Sequence, residues 1–400
     1  MQPATAQGPS SAARTARRLA PRSRVTIGIL CVLLGPAALG AEPSTARAID
    51  ALMHPYQGEV PGASVLVLRQ GRAVFRRAYG LADLERHVRA SPATNYRLAS
   101  MTKQFTAAAI LMLAAEHRLS LDDPVRRWLP SLPAAVDRVT IRQLLSHTGG
   151  LIDYEDLIPP GTSRPLHDSD VLHLLEAQPH TYFEPGTRYR YSDTGYSLLS
   201  LIVARASGTD FASFLRTRLF IPLGMRGSVA YEAGRSVVGN RAYGYSQVRS
   251  AEGGTSWQRT DQSLTSAVLG DGGVYSSVED LAKWDAALYG GGPLDRGSLQ
   301  LAMSAATATD DPNVAYGFGW RLTGQTVWHS GETLGFRNVI IRYPRHHFTV
   351  IVLTNRNDPE PYSLALAIAK LFIPDADATR ASQVVVGPDS GARPLPPASR

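Results

Sequence analysis

Leu98-Ala99-Ser100-Met101-Thr102-Lys103 opens the most apolar helical stretch of the chain. Residues 105–115 contain no charge, proline or glycine, and a helix that is apolar on every face belongs inside a domain. Residues three apart share a helix face, so we expect Lys103 to lie beside Ser100 at the start of a buried helix. The unpaired N–H groups there favour an oxyanion at the serine. The stretch therefore predicts a nucleophilic serine with an amine to activate it.

Alone, a serine and a lysine three residues apart are a weak signal, because a serine N-cap followed by an exposed lysine gives the same pattern. A nucleophile also requires a proton relay and a strand whose backbone N–H completes an oxyanion hole. Tyr191-Ser192-Asp193 places a phenol and a short polar side chain before a predicted helix. Trp328-His329-Ser330-Gly331 lies on a predicted strand and ends in a glycine, which would let a substrate approach the backbone.

These three motifs, in this order, resemble those of the serine β-lactamase and penicillin-binding-protein superfamily. The similarity is to its branch of class C β-lactamases, D-alanyl-D-alanine carboxypeptidases and esterases. Ser100 to Lys103 matches Ser-x-x-Lys, Tyr191 to Asp193 resembles Tyr-x-Asn, and His329 to Gly331 resembles Lys-Thr-Gly. The connecting stretches that are also similar to this branch are 121–125, 140–151, 270–276 and 329–336, and the whole resemblance covers residues 45 to 373.

The resemblance implies a role for each motif residue. Ser100 would attack the substrate carbonyl, while Lys103 and Tyr191 would share its proton and deliver it to the leaving group. The backbone N–H groups of Ser100 and Glu332 would form the oxyanion hole. The residues implied to bind the substrate are Asp193, His329, Ser330 and Gly331. The implied chemistry is an acyl-enzyme, released by water or another nucleophile, without a metal or an organic cofactor.

Two motif positions depart from the usual pattern, and both change the charge of the site. Asp193 stands where asparagine is usual, and His329 stands where lysine is usual, although histidine occurs there in some peptidases and esterases of the branch. The site is therefore expected to be more negative, by up to about two charges at neutral pH. Asp193 should keep Lys103 protonated, which leaves Tyr191 as the better base and makes it easier to ionise. We expect neutral esters to be preferred over β-lactams and D-alanyl peptides, unless Arg337 turns inward as a compensating cation.

Strand patterns near both chain ends, with helices between them, predict an α+β fold. We expect an antiparallel sheet flanked by helices, with a sheet domain of residues 41–119 and 266–373, an inserted helical domain of residues 120–265 and a disordered tail of residues 374–400. The predicted strands are a hairpin over Ala63–Tyr79, then Ala315–Leu322, Thr326–Ser330, Phe336–Tyr343 and His347–Thr354. Further helices are predicted at Ser44–Met53, Tyr196–Ala206, Asp210–Phe220, Ser277–Tyr289 and Pro361–Phe372. The stretch Gly234–Gly254 is predicted to be loop.

The first 40 residues contain five arginines and no acid, followed by a mostly apolar run and a small-x-small pattern before Ala41. This order predicts a cleaved signal peptide and export, whereas an uncleaved anchor and an Arg-rich organellar presequence remain open. Five of the seven formal net charges lie in this segment, so the remainder carries only +2, which argues against a nucleic-acid partner. Cys31, the single cysteine, also lies here, so the mature chain is expected to have no disulfide and no thiolate metal site.

Other candidate sites and functions have weaker support in the sequence. His147, in Leu-Leu-Ser-His-Thr-Gly-Gly, is interpreted as a loop histidine that bonds backbone rather than as a base. The sequence contains no His-Glu-x-x-His, Cys-x-x-Cys or Gly-x-Ser-x-Gly motif, which argues against zinc and against an α/β-hydrolase. A catalytically idle module that binds a cell-wall or peptide ligand, and an organellar filament-forming relative, remain open. The expected partner is a small-molecule or peptide substrate, membrane contact is expected only through an uncleaved N-terminal segment, and the oligomeric state is open.

Overall fold

The computed structural model describes residues 41–249 and 253–374. The predicted signal peptide and nearly all of the predicted tail lie outside the described residues. The strands are β1 Ala63–Arg69, β2 Arg72–Tyr79, β3 Leu81–Asp83, β4 Val88–Arg89, β5 Tyr96–Arg97, β6 Val229–Ala230, β7 Tyr245–Arg249, β8 Thr255–Arg259, β9 Val274–Ser276, β10 Thr307–Ala308, β11 Ala315–Tyr316, β12 Arg321–Thr323, β13 Thr326–Thr333, β14 Phe336–Tyr343 and β15 Phe348–Thr354. The helices are α1 Pro43–Leu52, α2 Lys103–Ala115, α3 Val125–Trp128, α4 Ile141–Leu145, α5 Asp168–Glu176, α6 Asp193–Ser207, α7 Phe211–Leu215, α8 Leu269–Gly272, α9 Val278–Ala287, α10 Arg296–Ala302 and α11 Tyr362–Lys370.

An eight-stranded antiparallel sheet is built from both chain ends, as predicted. Its spatial order is β10-β11-β12-β13-β14-β15-β1-β2, so that the N-terminal hairpin pairs with the last strand. Ala63 lies opposite Thr354 across β1 and β15, and Trp328 lies opposite Ile341 across β13 and β14. Strands β5, β9 and β6 form a separate three-stranded sheet with β9 in the middle.

Helices cover both faces of the large sheet, which confirms the predicted α+β layering. Successive side chains of a strand point to opposite faces, and β1 shows the consequence. Val65 and Val67 belong to a core that includes residues of α1 and α11. Leu66 and Leu68 belong to a second, larger core that contains the apolar residues of α2. A strand that is buried on both faces is apolar at consecutive positions, as β1 is.

The apolar stretch that decides the fold forms α2, and residues 103–113 are all buried. Ser100 lies just before this helix, in a 3-10 turn over Ala99–Thr102. Gly208 ends α6 in the left-handed conformation, with a φ of 76°, where the sequence predicted the stop. Among the described residues, no single helix has the length and apolarity needed to cross a membrane, although α6 and the segment Phe211–Phe220 pass that test as a pair bent by 75°.

Three predictions of secondary structure were wrong in detail. Tyr245–Arg249, inside the predicted loop, is a strand that pairs with Thr255–Arg259 just beyond it. Most side chains of the two strands are exposed, so they lack an alternating apolar pattern. The predicted strand Ala315–Leu322 is two strands, β11 and β12, because Gly319 between them has a φ of 75°. A Cβ at Gly319 would lie 2.7 Å from the Lys103 carbonyl oxygen, so the bend lets the chain pass close to α2. The predicted strand Thr326–Ser330 is too short, because the observed strand continues to Thr333.

Candidate active site

Ser100 and Lys103 are hydrogen-bonded, as their spacing predicted. Lys103 Nζ donates to Ser100 Oγ at 3.0 Å and to the Asp271 carbonyl oxygen at 3.1 Å, and it also forms an ion pair with the Asp193 carboxylate. The Lys103 side chain is completely buried, whereas Ser100 is partly exposed. The contact fixes the position of the partly exposed serine hydroxyl, which accepts a hydrogen bond from the buried lysine.

Strand β13 packs directly against the turn that carries Ser100. The β12–β13 ladder ends at Trp328, so from His329 onward this edge of β13 faces the turn. A Cβ at Gly331 would lie 1.9 Å from the Leu98 carbonyl oxygen, which is closer than any real contact. From the sequence, this glycine was predicted to let a substrate approach the backbone. The structure shows a different reason, because the glycine lets β13 reach the nucleophile turn.

A cavity of about 30 Å³ opens at Ser100. Its lining residues are Arg97, Ala99, Ser100, Glu155, Asp193, Thr265, Asp271, Gly272, Glu332 and Thr333. Ser100 and Glu332, whose backbone N–H groups are the predicted oxyanion hole, both line this cavity. Ser330 and Gly331 precede Glu332 on β13 but are not among the lining residues.

Burial and charge set the protonation of the two proton-transfer candidates. Burial alone would lower the pKa of Lys103, but the neighbouring Asp193, Tyr191 and Asp271 raise it above its ordinary value. Lys103 is therefore held protonated, as predicted. Burial raises the pKa of Tyr191, while the charges of Lys103 and Arg321 oppose that rise. Lys103 favours ionisation of Tyr191, as expected. Burial, which was not considered from the sequence, outweighs this effect, so the pKa of Tyr191 is raised overall.

More acidic side chains lie around the cavity than the three motifs predicted. Burial and the charges of Asp193 and Asp153 raise the pKa of Glu155 to about 9. Burial and the charge of Asp193 raise the pKa of Asp153 to about 6 and that of Asp271 well above its ordinary range. Glu155 and Asp271 lie outside the three motifs, and although Asp271 falls in the similar stretch 270–276, neither was predicted to have a role at the site. Their crowding favours the protonated, neutral forms of Glu155 and Asp271.

His329 is not placed to contact a substrate in the way that the motif implied. Only 1% of the residue is exposed, its Nδ1 donates to the Ser330 carbonyl oxygen at 2.6 Å, and its Nε2 accepts from the Tyr316 hydroxyl at 3.0 Å. Burial and the charge of Arg321 lower the pKa of His329 well below its ordinary value. The ring is therefore neutral near neutral pH, as predicted, but both of its nitrogens are already bonded to protein groups.

Arg321, on β12, is the cation that the sequence analysis missed. It is 2% exposed, and its guanidinium carbon lies 5.2 Å from the Tyr191 ring centre and 5.5 Å from that of Trp328. Arg337, the predicted compensating cation, instead forms an ion pair with Glu332 and donates to the Thr333 carbonyl oxygen at 3.0 Å. Compared with the usual motifs, the site gains an anion at Asp193 and lacks a cation at His329. Arg321 offsets one of these two changes. Its sequence context is that of an ordinary strand arginine, and only the β12–β13 pairing brings it to Tyr191.

The structure thus brings Ser100, Lys103, Tyr191, Asp193 and Glu332 together from three separate parts of the chain. Comparison with known proteins agrees with this geometry, since residues 45–373 match the family described as Beta-lactamase. The chain belongs to the beta-lactamase family. It is a serine hydrolase of that family. Among the described residues, no group of three or more His, Cys, Asp and Glu side chains is arranged to hold a metal ion.

Three relatives illustrate the similarity. Penicillin-binding protein 4* of Bacillus subtilis (strain 168) is 32% identical over 327 residues, which are 78% of this chain and 71% of that protein. The octameric penicillin-binding protein homologue of Pyrococcus abyssi superposes with a TM-score of 0.72 at 25% identity, covering 83% of this chain and 77% of that one. The D-amino acid amidase of Ochrobactrum anthropi SV3 has a TM-score of 0.73 at 22% identity, covering 83% of this chain and 99% of that one. This similarity shows the shared fold.

Proposed function

We propose that this beta-lactamase family member is an exported hydrolase that forms an acyl-enzyme on an ester, amide or lactam. The observation that carries the proposal is the 3.0 Å hydrogen bond between Lys103 Nζ and Ser100 Oγ at the cavity. An idle binding module would not need a buried ammonium against a serine hydroxyl, because burying that charge is costly. The arginine-rich, acid-free start of the sequence supports export.

The site residues have complementary roles in the proposed reaction. Ser100 Oγ attacks the carbonyl carbon while its proton moves to the phenolate form of Tyr191, since Asp193 keeps Lys103 protonated and unable to accept it. Because the pKa of Tyr191 is raised, this form is a minor fraction near neutral pH and grows as the pH rises. The N–H groups of Ser100 and Glu332 hold the oxyanion of the tetrahedral intermediate. Collapse breaks the bond to the leaving group, which takes the proton from Tyr191. Water then attacks the acyl-enzyme by the same sequence, and the acid product leaves Ser100 free.

The charge of the cavity favours substrates without a carboxylate beside the reacting carbonyl. Asp193 and Glu332 line it, Glu155 and Asp271 add no positive charge, and Arg97 is its one basic lining residue within the described part of the chain. Arg321 is a second nearby cation, but it is buried behind the Tyr191 ring. An anionic substrate would lose attraction, and a penalty of about 1 kcal/mol corresponds to roughly a fivefold lower affinity. Neutral esters and amides are therefore the proposed class, ahead of penicillins and D-alanyl peptides.

The test uses protein that begins near Ala41 and a fluorophosphonate probe. We expect the probe to label the wild type and the Ser304→Ala control, in which an exposed serine is changed, but not Ser100→Ala. Turnover of p-nitrophenyl acetate should depend on Lys103 and Tyr191 and should exceed turnover of benzylpenicillin. Labelling that persists in Ser100→Ala would contradict the nucleophile. Ligand binding without turnover by the wild type would favour the idle module, and faster hydrolysis of benzylpenicillin would contradict the charge argument.

A further inference from the structure

His147 holds the chain on both sides of Tyr191. Its carbonyl oxygen accepts from the Arg190 N–H at 3.0 Å, and its ring Nδ1 accepts from the Ser192 N–H at 3.2 Å. The ring also packs against the Tyr191 ring, with centres 4.4 Å apart and planes 36° from each other. One residue therefore fixes the two peptide groups that flank the proposed base and covers one side of its ring.

The backbone of His147 adopts a left-handed conformation. His147 follows α4 with a φ of 58°, and the next N–H, that of Thr148, donates to the Gln143 carbonyl oxygen at 2.9 Å. This is a left-handed helix end, a position where glycine or asparagine is usual. A residue with a larger side chain is strained there by about 1 kcal/mol. The hydrogen bond and ring packing of His147 act against that strain.

The surroundings keep His147 neutral, as an acceptor at Nδ1 requires. Burial lowers its pKa well below the ordinary value, and the charges of Lys103 and Arg321 act in the same direction, while the nearby His329 is itself neutral near neutral pH. The remaining groups that face the ring are the phenols of Tyr189, Tyr191, Tyr196 and Tyr316. Since Nδ1 accepts a hydrogen bond, the ring proton resides on Nε2. Nε2 makes no hydrogen bond within the described residues, so a phenyl ring in this place would lose only the Nδ1 bond.

We propose that His147 is the positioning residue for Tyr191, which it orients toward Ser100 and Lys103 through the Nδ1 bond to Ser192. The inference rests on the proposed function, in which Tyr191 accepts the serine proton. His147 itself takes no part in proton transfer, because its Nδ1 is occupied and its nearest charged neighbours disfavour a second proton. Releasing Ser192 would let the phenol move away from Lys103, and Tyr191 would lose part of the charge that assists its ionisation.

Two substitutions at His147 separate the acceptor from the ring. His147→Phe keeps a ring against Tyr191 and removes the acceptor, whereas His147→Asn keeps an oxygen near the place of Nδ1, suits the left-handed backbone and removes the ring. Activity on p-nitrophenyl acetate is normalised to the fraction of Ser100 labelled by a fluorophosphonate. We expect His147→Phe to lower kcat at least about tenfold with little change in KM, as the loss of one buried bond predicts. The rise of kcat/KM with pH should move to higher pH, and His147→Asn should recover most of both.

The outcomes separate this inference from the proposed function. If the wild type is neither labelled nor active, the proposed function fails. If the wild type is active and His147→Phe keeps its kcat per labelled serine and its pH profile, the positioning role is wrong. Ring-nitrogen NMR of the wild type, assigned by difference from His147→Asn, gives a test that needs no folded phenylalanine variant. We expect a neutral ring with the proton on Nε2 from about pH 5 to 8, and a proton on Nδ1 or an ordinary titration would overturn the proposal.

Discussion

Lys103 and Asp193 form an ion pair in which the ammonium group is completely buried and the carboxylate is 18% exposed. The pair places a fixed positive charge between Ser100 and Tyr191, while the carboxylate borders the cavity. Because a buried lysine without a partner would lose its proton, Asp193 decides which of the two candidate bases is available. The balance of charges around Tyr191 should then set the pH dependence of the enzyme.

Replacing Asp193 by asparagine should extend activity to lower pH. Asp193 raises the pKa of both Lys103 and Tyr191, so its removal lowers both values. We expect the rise of kcat/KM for p-nitrophenyl acetate to move down by about one pH unit. The control is Asp122→Asn, which changes an exposed carboxylate. A rise that stays in place or moves to higher pH would show that Asp193 does not control the base.

Replacing Arg321 by methionine should have the opposite effect. The guanidinium lowers the pKa of Tyr191, and its loss leaves burial less opposed. We expect the rise of kcat/KM to move up by about one pH unit, and less in Arg321→Lys, which keeps the charge. The same pH profiles check this prediction. Equal shifts in the two variants would mean that stacking of the planar group on Tyr191 matters more than its charge.

Glu155 should make the protein less stable as the pH rises. Its folded-state pKa of about 9 lies above the ordinary value of 4.5, so folding favours the protonated form. The contribution is fully present below about pH 4.5 and is lost as the pH rises toward 9. We expect the unfolding free energy of the wild type to fall by at least about 2 kcal/mol more than that of Glu155→Gln between pH 5 and 9.

The control for this measurement is Glu184→Gln, which changes a carboxylate that is 55% exposed. Urea unfolding at several pH values gives the free energies. Parallel pH dependence of the wild type and Glu155→Gln would show that Glu155 is ionised in the folded protein.

Gly331→Ala should damage both the fold and the site. The new methyl group would meet the Leu98 carbonyl oxygen, so β13 or the Ser100 turn must shift. We expect a lower melting temperature and slower labelling of Ser100, because the Glu332 N–H would move with β13. Gly239→Ala is the matched control, since nothing lies within 4 Å of its Cβ position. Normal stability and labelling in Gly331→Ala would show that the close approach is not required.

The predictions from sequence succeeded where the signal was local. The apolar run after Ser100 produced a buried α2, the i to i+3 spacing placed Lys103 beside Ser100, and the strand patterns near both chain ends produced one sheet. The hairpin of β7 and β8 gave no such signal because its side chains are mostly exposed. The predicted division into a sheet domain and an inserted helical domain stays a prediction.

The sequence by itself determined that Lys103 lies beside Ser100 and that two motif positions differ in charge from the usual pattern, because these depend on residue identity and on local spacing. Tertiary structure decided what those charges do. Arg321 reaches Tyr191 only through the pairing of β12 with β13, Glu155 and Asp271 reach the cavity from distant segments, and His147 clamps residues more than forty positions away. The energy of a charge depends on its burial and on its neighbours, and neither can be read along a linear chain.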